Sequence, residues 1–411
     1  MNIGIVTTWF ERGAAYVSKQ YMGVLKNEHN VFIYARGGEK YAMGNKDWDG
    51  SEVTWEKKIP IGMPMSIDLN NFKQWIVKNN IEVVFFNEQQ WWDPIVLCNK
   101  MGIKTGAYVD YYTKETVPFF GLYDFLICNT KRHYDVFSWH PQVQYIPWGT
   151  DIDLYTPKTL STVKDNIITF FHSCGMSPDR KGTDLLIRAF TKLTGLAELT
   201  IHTQIDLKIF FPDLCDIISK LEDQGRLHIF HKTISAPGLY HLGDVYVYPS
   251  RLDGIGLTVA EALACGLPAI VPDNPPMSEF IDQTNGKKVD VDKFIDREDG
   301  YYWPICEIDQ QKLAHAMQYY VDAQNNIEEY KKDARLYAEV NLDWKKNTVH
   351  LPRLFFDFKV LPFEERQIIN NVILYENRRS NVMAKLYRNF PFVFKPFSWL
   401  WPVIKFFYIQ K

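Results

Sequence analysis

Short apolar runs separated by longer amphipathic stretches recur along most of the chain. In the first half they lie at Asn2 to Thr8, Val31 to Ala35, Ile81 to Phe86, Ile103 to Val109, Phe125 to Cys128 and Val143 to Ile146. In the second half they lie at Ile167 to His172, Glu198 to His202, Arg226 to Phe230, Val245 to Tyr248 and Ala269 to Val271. Runs this short and this continuously apolar predict strands buried on both faces, and the segments between them, such as Ala14 to Lys26, predict covering helices. The pattern implies an α/β chain with two doubly wound parallel sheets. Ligands of such sheets bind beyond the carboxyl ends of the strands.

Tyr145 to Pro157, rich in Pro, Gly and Asp, marks a boundary, so residues 1–148 and 149–342 are expected to form two domains. Within it Asp151-Ile152-Asp153 spells a D-x-D pattern but reads as a solvated turn of the linker. Asp309 to Tyr337 predicts two amphipathic helices.

The most informative stretch is Tyr246 to Glu279. A strand ending near Tyr248 turns through Asp253-Gly254-Ile255-Gly256 into a helix from Leu257 to Cys265, which Gly266 and Pro268 end. Amides at the start of a helix entered through a glycine loop have no partner within the helix, so those of Leu257, Thr258 and Val259 are expected to face a phosphate. Asp253 and Glu261 bracket that anion site with seven residues between them. A carboxylate beside a phosphate suits hydroxyl pairs rather than the phosphate itself. The implied ligand is a diphosphate between two hydroxyl-rich groups, which describes a nucleotide sugar.

The same stretch, DGIGLTVAEALACGLPAI with Glu279 beyond, resembles the acid, seven residues, acid signature of glycosyltransferase family 4. Asp253 stands where that family usually has the longer Glu. The resemblance covers residues 1 to about 358. It implies the GT-B fold, with two Rossmann-like domains facing a cleft, and a retaining transfer of a hexosyl group that needs no metal and no cofactor. It also implies a helix at 343–358 that crosses back to the first domain, leaving 359–411 as an extension.

The resemblance further assigns roles. Lys181, in HSCGMSPDRKGTD, matches the family lysine that contacts the diphosphate, and Arg180 replaces the family arginine whose own place is taken by Met176. Asp253 would hold a donor hydroxyl and Glu261 the ribose. Glu279 would belong to a loop closing over the donor, or else cap a helix. Gly13, after the first strand, matches a glycine loop facing the diphosphate, or serves only its turn. Glu88 and Asp110 follow strand-like runs. Asp110 lies near the usual place of a family histidine and would orient a hydroxyl or cap its loop. Asn87 to Asp93, NEQQWWD, is either an acceptor platform or plain packing.

Charge adds a partner. Asn377 to Lys411 carries seven Lys or Arg and no Asp or Glu, lifting a body of −10 to −3 overall. An acidic body argues against nucleic acid. The tail mixes those cations with Phe, Trp and Tyr and is broken by Pro391, Pro396 and Pro402, so residues 380–411 are expected to meet a membrane surface rather than form one long helix. Six scattered cysteines without C-x-x-C suggest reduced thiols and no metal site. A strand that begins at Asn2 without a signal peptide fits a cytoplasmic protein, peripheral at the membrane. Two other functions fit the same residues: a nucleotide-sugar epimerase of this fold, and a non-catalytic subunit that binds a nucleotide sugar.

Overall fold

A computed structural model describes residues 1–37, 42–57, 65, 67–158, 167–362 and 368–379. Residues 380–411, on which the membrane expectation rests, lie outside the described residues. The chain divides into two compact units. Met1–Cys128, His133–Tyr145 and the described residues from Val349 onward form the first, and Asn129–Arg132 with Ile146–Thr348 form the second.

The first unit holds a seven-stranded sheet of β1 (Asn2–Thr7), β2 (Asn30–Ala35), β3 (Val53–Trp55), β4 (Val83–Asn87), β5 (Lys104–Tyr108), β6 (Phe125–Cys128) and β7 (Val143–Tyr145). All pairings are parallel and the order is β3-β2-β1-β4-β5-β6-β7. Every residue of β4 and β6 is buried, as two-sided covering requires. Asp68 starts the helix Leu69–Lys78 by accepting the amides of Asn70 and Asn71. The chain returns to this unit near its end: Phe355 and Phe358 pack on Phe125, and His29 Nε2 lies 2.8 Å from the Pro352 carbonyl.

The second unit holds six parallel strands, β8 (Ile168–Gly175), β9 (Ala197–Thr203), β10 (Leu227–His231), β11 (Val245–Val247), β12 (Ala269–Pro272) and β13 (Gly286–Val289). Their order is β10-β9-β8-β11-β12-β13. An antiparallel hairpin of β14 (Val291–Ile295) and β15 (Ile305–Ile308) follows. The core of this unit joins Phe170, Leu199, Ile201 and Val247 of the sheet to Leu186 and Phe190 of the helix Thr183–Phe190 and to Leu313 and Met317 of the helix Gln310–Asp322.

Both sheets carry the parallel α/β architecture expected from the apolar runs. The unforeseen elements lie at the margins. Val53–Trp55 and Gly286–Val289 each lie at one edge of their sheet, where among the described residues one side has no neighbour and continuous apolar sequence is not needed. GKKV accordingly carries Lys287 and Lys288. The helix Ile369–Arg379 is a second addition, docked through buried Val372 and through Tyr375 packed on Phe119.

That helix also accounts for one of the two tryptophans of NEQQWWD. Trp92 is buried against Phe119, Phe120 and Tyr123, and Glu376 accepts its backbone amide, so this tryptophan is packing. Trp91 is half-buried. Asp151 accepts the amides of Asp153 and Leu154, the local turn expected for the D-x-D stretch.

Candidate donor-binding site

In each sheet the strand order reverses once, between β1 and β4 and between β8 and β11. Crossovers leave in opposite directions there and open a crevice at the carboxyl ends of the strands. In the second unit the segment after β8 carries Arg180 and Lys181, and the segment after β11 carries Asp253 and the helix Leu257–Ala264. Topology therefore brings together cations and a carboxylate that lie about seventy residues apart in the chain.

Two features press the cation loop against the strand. Gly182 has φ +68°, and a Cβ there would sit 2.1 Å from the Pro249 carbonyl oxygen, so no other residue fits this approach. Beneath it lies the fully buried His172 of β8. Its Nδ1 is 2.8 Å from the Val247 carbonyl, which can only accept, so Nδ1 carries the proton and Nε2 accepts from the Thr183 hydroxyl at 2.9 Å. One neutral imidazole thus ties β8, β11 and the start of the helix Thr183–Phe190.

Burial pushes the His172 pKa down to about 4 from 6.5. A base whose folded value is depressed contributes stability that is present above its unfolded value and lost as pH falls toward the folded one. The second unit should accordingly lose about 3 kcal/mol of stability between pH 6.5 and pH 4 from this group alone. Denaturant unfolding at pH 7 and at pH 4.5 would measure it. The fall should be smaller by most of that amount in His172→Gln, and equal falls in both proteins would refute the assignment.

Lys181 donates to the Asp253 carboxylate and to the Tyr248 hydroxyl, and Tyr248 in turn donates to the same carboxylate oxygen. Arg180 Nη1 lies 3.7 Å from that oxygen and 2.8 Å from the Leu252 carbonyl. The second oxygen of Asp253 accepts the Gly254 amide at 2.9 Å. Burial drives the Lys181 pKa down to about 8, against the pull of Asp253. Burial also opposes ionisation of Asp253, but Lys181, Arg180 and the Tyr248 hydroxyl outweigh it and hold the carboxyl well below its usual range.

Helix Leu257–Ala264 begins at Gly256, whose φ of +88° suits glycine and which offers no side chain to cap the first turn. The amides of Leu257 and Thr258 are therefore left for an anion. The Val259 amide is not, because the tight first turn gives it to the Gly256 carbonyl at 2.9 Å. This corrects the expectation of three such amides. One turn further along, Glu261 accepts from the hydroxyls of Tyr240 and Tyr155, and burial raises its pKa despite them.

Glu279 stands apart from this cluster. Both its oxygens are taken by backbone amides, Lys131 at 2.7 Å and Arg132 at 3.0 Å, so it caps that segment of the second unit. Arg132 donates to the carbonyls of Pro275 and Asp253 and lies 4.4 Å from the Trp303 ring. In the first unit Gly13 opens the helix Gly13–Leu25 after β1, Glu88 follows β4 and Asp110 follows β5, all at carboxyl strand ends. Glu88 adopts φ +50°, unusual for a residue with a Cβ, and lies 3.3 Å from Arg12.

Sequence reasoning missed Tyr248, Tyr240, Tyr155 and Arg251. A partial signal existed for Tyr248, since a tyrosine at the end of a buried strand needs a partner for its hydroxyl. Arg251 gave none. Its guanidinium holds Asp184 at 2.7 and 2.8 Å and Glu307 at 2.7 Å while donating to the Asp179 carbonyl, and so clamps the cation loop and β15 to the segment after β11. Among the described residues no three His, Cys, Asp or Glu side chains are grouped as a metal site, and no helix is long and apolar enough to cross a membrane.

Comparisons with known proteins agree with this picture. Residues 167–318 match the family model of the glycosyl transferases group 1. An uncharacterized glycosyltransferase of Sulfolobus islandicus rod-shaped virus 1 is 27% identical over 168 residues, covering 37% of this chain and 46% of its own length. The Escherichia coli O-antigen biosynthesis glycosyltransferase WclY is 28% identical over 111 residues, covering 27% of this chain and 30% of its own. The chain thus spans less than half the length of these two relatives. The structure of Anabaena Alr3699/HepE in complex with UDP superposes with a TM-score of 0.64 at 13% identity, covering 86% of this chain and 99% of that one. Residues 167–318 thus resemble the glycosyl transferases group 1, and the chain has the GT-B fold.

Proposed function

We propose that this chain is a retaining glycosyltransferase of family 4 that moves a hexosyl group from a nucleoside diphosphate sugar to a glycan or lipid-linked acceptor in surface polysaccharide or glycolipid synthesis. The observation that carries the reading is the pairing, at the switch point of the second sheet, of two cations and two free helix amides with the carboxylates Asp253 and Glu261. The first set suits a diphosphate and the second suits hydroxyls. The UDP held by the Anabaena neighbour and the O-antigen role of the E. coli relative support the same donor and product classes.

In chemical terms the barrier is departure of an anionic diphosphate from a carbon that becomes oxocarbenium-like, and preorganised positive potential lowers it. Lys181 and Arg180, with the amides of Leu257 and Thr258, provide that potential. Asp253 accepts from a hydroxyl of the sugar and Glu261 from the ribose. The cations do the work a metal does elsewhere, so activity should persist in EDTA. Asp110 orients a hydroxyl on the first unit, and residues 380–411 bring the protein to an anionic membrane surface.

A thermal-shift screen of UDP, GDP, ADP and their common sugar conjugates in EDTA and then in magnesium tests the donor site. A melting-point rise with one nucleotide class in EDTA, lost in Lys181→Ala, is expected. No rise with any of them would overturn the donor assignment. A rise without sugar transfer or donor hydrolysis would favour the non-catalytic binding subunit.

A further inference from the structure

Three polar groups close on one another at the carboxyl end of β11. Lys181 donates to Tyr248 and to Asp253, and the Tyr248 hydroxyl donates its own hydrogen bond to the same oxygen of Asp253. Their exposure differs in a telling way. The side chains of Lys181 and Asp253 keep 14% and 15% of their surface, whereas Tyr248 is fully buried. A ligand entering the crevice touches the lysine and the aspartate, and the tyrosine holds both from beneath, its ring stacked on Tyr246 at 5.7 Å.

A diphosphate must draw the Lys181 ammonium away from Asp253. A buried carboxylate stripped of its cation is costly unless other donors remain. Here Arg180 stays 3.7 Å away and two hydrogen-bond donors remain, the Gly254 amide on one oxygen and the Tyr248 hydroxyl on the other. Resting on the donor-site reading above, we propose that Tyr248 is a positioning residue that keeps Asp253 ionised and aimed at the donor sugar while Lys181 exchanges it for the diphosphate. The length of the acid is matched to the phenol. A glutamate at 253 would carry its carboxylate one methylene further, into the space that the Tyr248 hydroxyl and the ammonium occupy.

The charged or titratable groups facing Lys181 are Asp253, Arg180, Tyr248, Cys174, His172 and Glu261. Of these only Tyr248 is altered by removing its hydroxyl, so a pH profile isolates its part. The full chain is tested as wild type, Tyr248→Phe, Asp253→Glu and the double variant, with affinity for whichever of UDP, GDP and ADP the wild type binds measured from pH 6 to 9.5 alongside donor turnover. Wild-type affinity should weaken as pH rises through about 8, where the ammonium of the free protein is lost. In Tyr248→Phe the ammonium has one acceptor fewer, so this limb should move down by about one pH unit and turnover should fall about tenfold. The double variant should be several-fold more active than Asp253→Glu alone, because losing the hydroxyl makes room for the longer acid.

An unmoved limb with unchanged turnover in Tyr248→Phe, or a double variant no better than Asp253→Glu, would reduce Tyr248 to filler and overturn the inference while leaving the donor site standing. Failure of the wild type to bind UDP, GDP and ADP alike would overturn the donor-site reading, and the inference with it.

Discussion

Lys181→Ala should lower turnover of the sugar donor by about 10²–10³-fold, the effect typical of removing one preorganised donor aimed at developing negative charge. The size follows from where the ammonium sits. It is largely buried on the tight glycine turn before the helix Thr183–Phe190, its compact charge held over Asp253 and 4.6 Å from the Tyr248 ring centre. Arg180 cannot take over, because its side chain is 41% exposed and already bonded to the Leu252 carbonyl. The fold should survive, since Asp253 retains Arg180, Tyr248 and the Gly254 amide. Lys181→Arg should not restore the rate, as a planar fork does not fit a point-charge position at this approach. Steady-state kinetics with circular dichroism as a control would check both variants. Turnover within threefold of wild type in Lys181→Ala would remove the lysine from the leaving-group site.

The second large effect is expected on stability. Arg251→Met should destabilise the second unit by about 3–5 kcal/mol, because it strands Asp184 and Glu307, two carboxylates held by one largely buried guanidinium. Those carboxylates explain why the Arg251 pKa is raised although burial alone would lower it. At about 2–4 °C per kcal/mol for a unit of this size, the unfolding midpoint should drop by roughly 10 °C. The loss should propagate to function, since Arg251 also donates to the Asp179 carbonyl of the loop that presents Lys181. Scanning calorimetry of the full chain reads the midpoint of the affected transition. The triple variant Arg251→Met, Asp184→Leu and Glu307→Leu should regain much of the loss, as replacing a whole buried ion group by apolar residues is often neutral. An unshifted midpoint in the single variant would show the clamp to be dispensable.

Much of the architecture was written in the apolar runs. A strand covered on both faces has to be continuously apolar, so β1, β4, β6, β8, β11 and β12 announce themselves. An edge strand is free of that demand, and the edge strands GKKV and VTW, unlike β7 and β10, carry no apolar run that would announce them. The two amphipathic helices after Asp309 were legible for the complementary reason: the chain alternates buried and exposed faces there, and Asp309 caps the first of them.

The candidate site divides in the same way. The amino-acid order by itself determined which chemistries were available: a glycine-led helix start, an acid on either side of it, and a cation pair before Gly182. Each is a local pattern, and local patterns survive in one dimension. Only the tertiary structure decided which of them meet. Sheet order places the segments after β8 and β11 side by side, and Gly182 and His172 draw them together until Lys181 reaches Asp253. It also gave Val259 and Glu279 backbone partners, buried Trp92 under a helix some 280 residues later in the chain, and put Tyr248 and Arg251 into the site. The physical reason is that a hydrogen bond or ion pair depends on distances of a few ångströms, and those distances are set by packing between elements far apart in the chain, which periodicity and motif spacing do not encode.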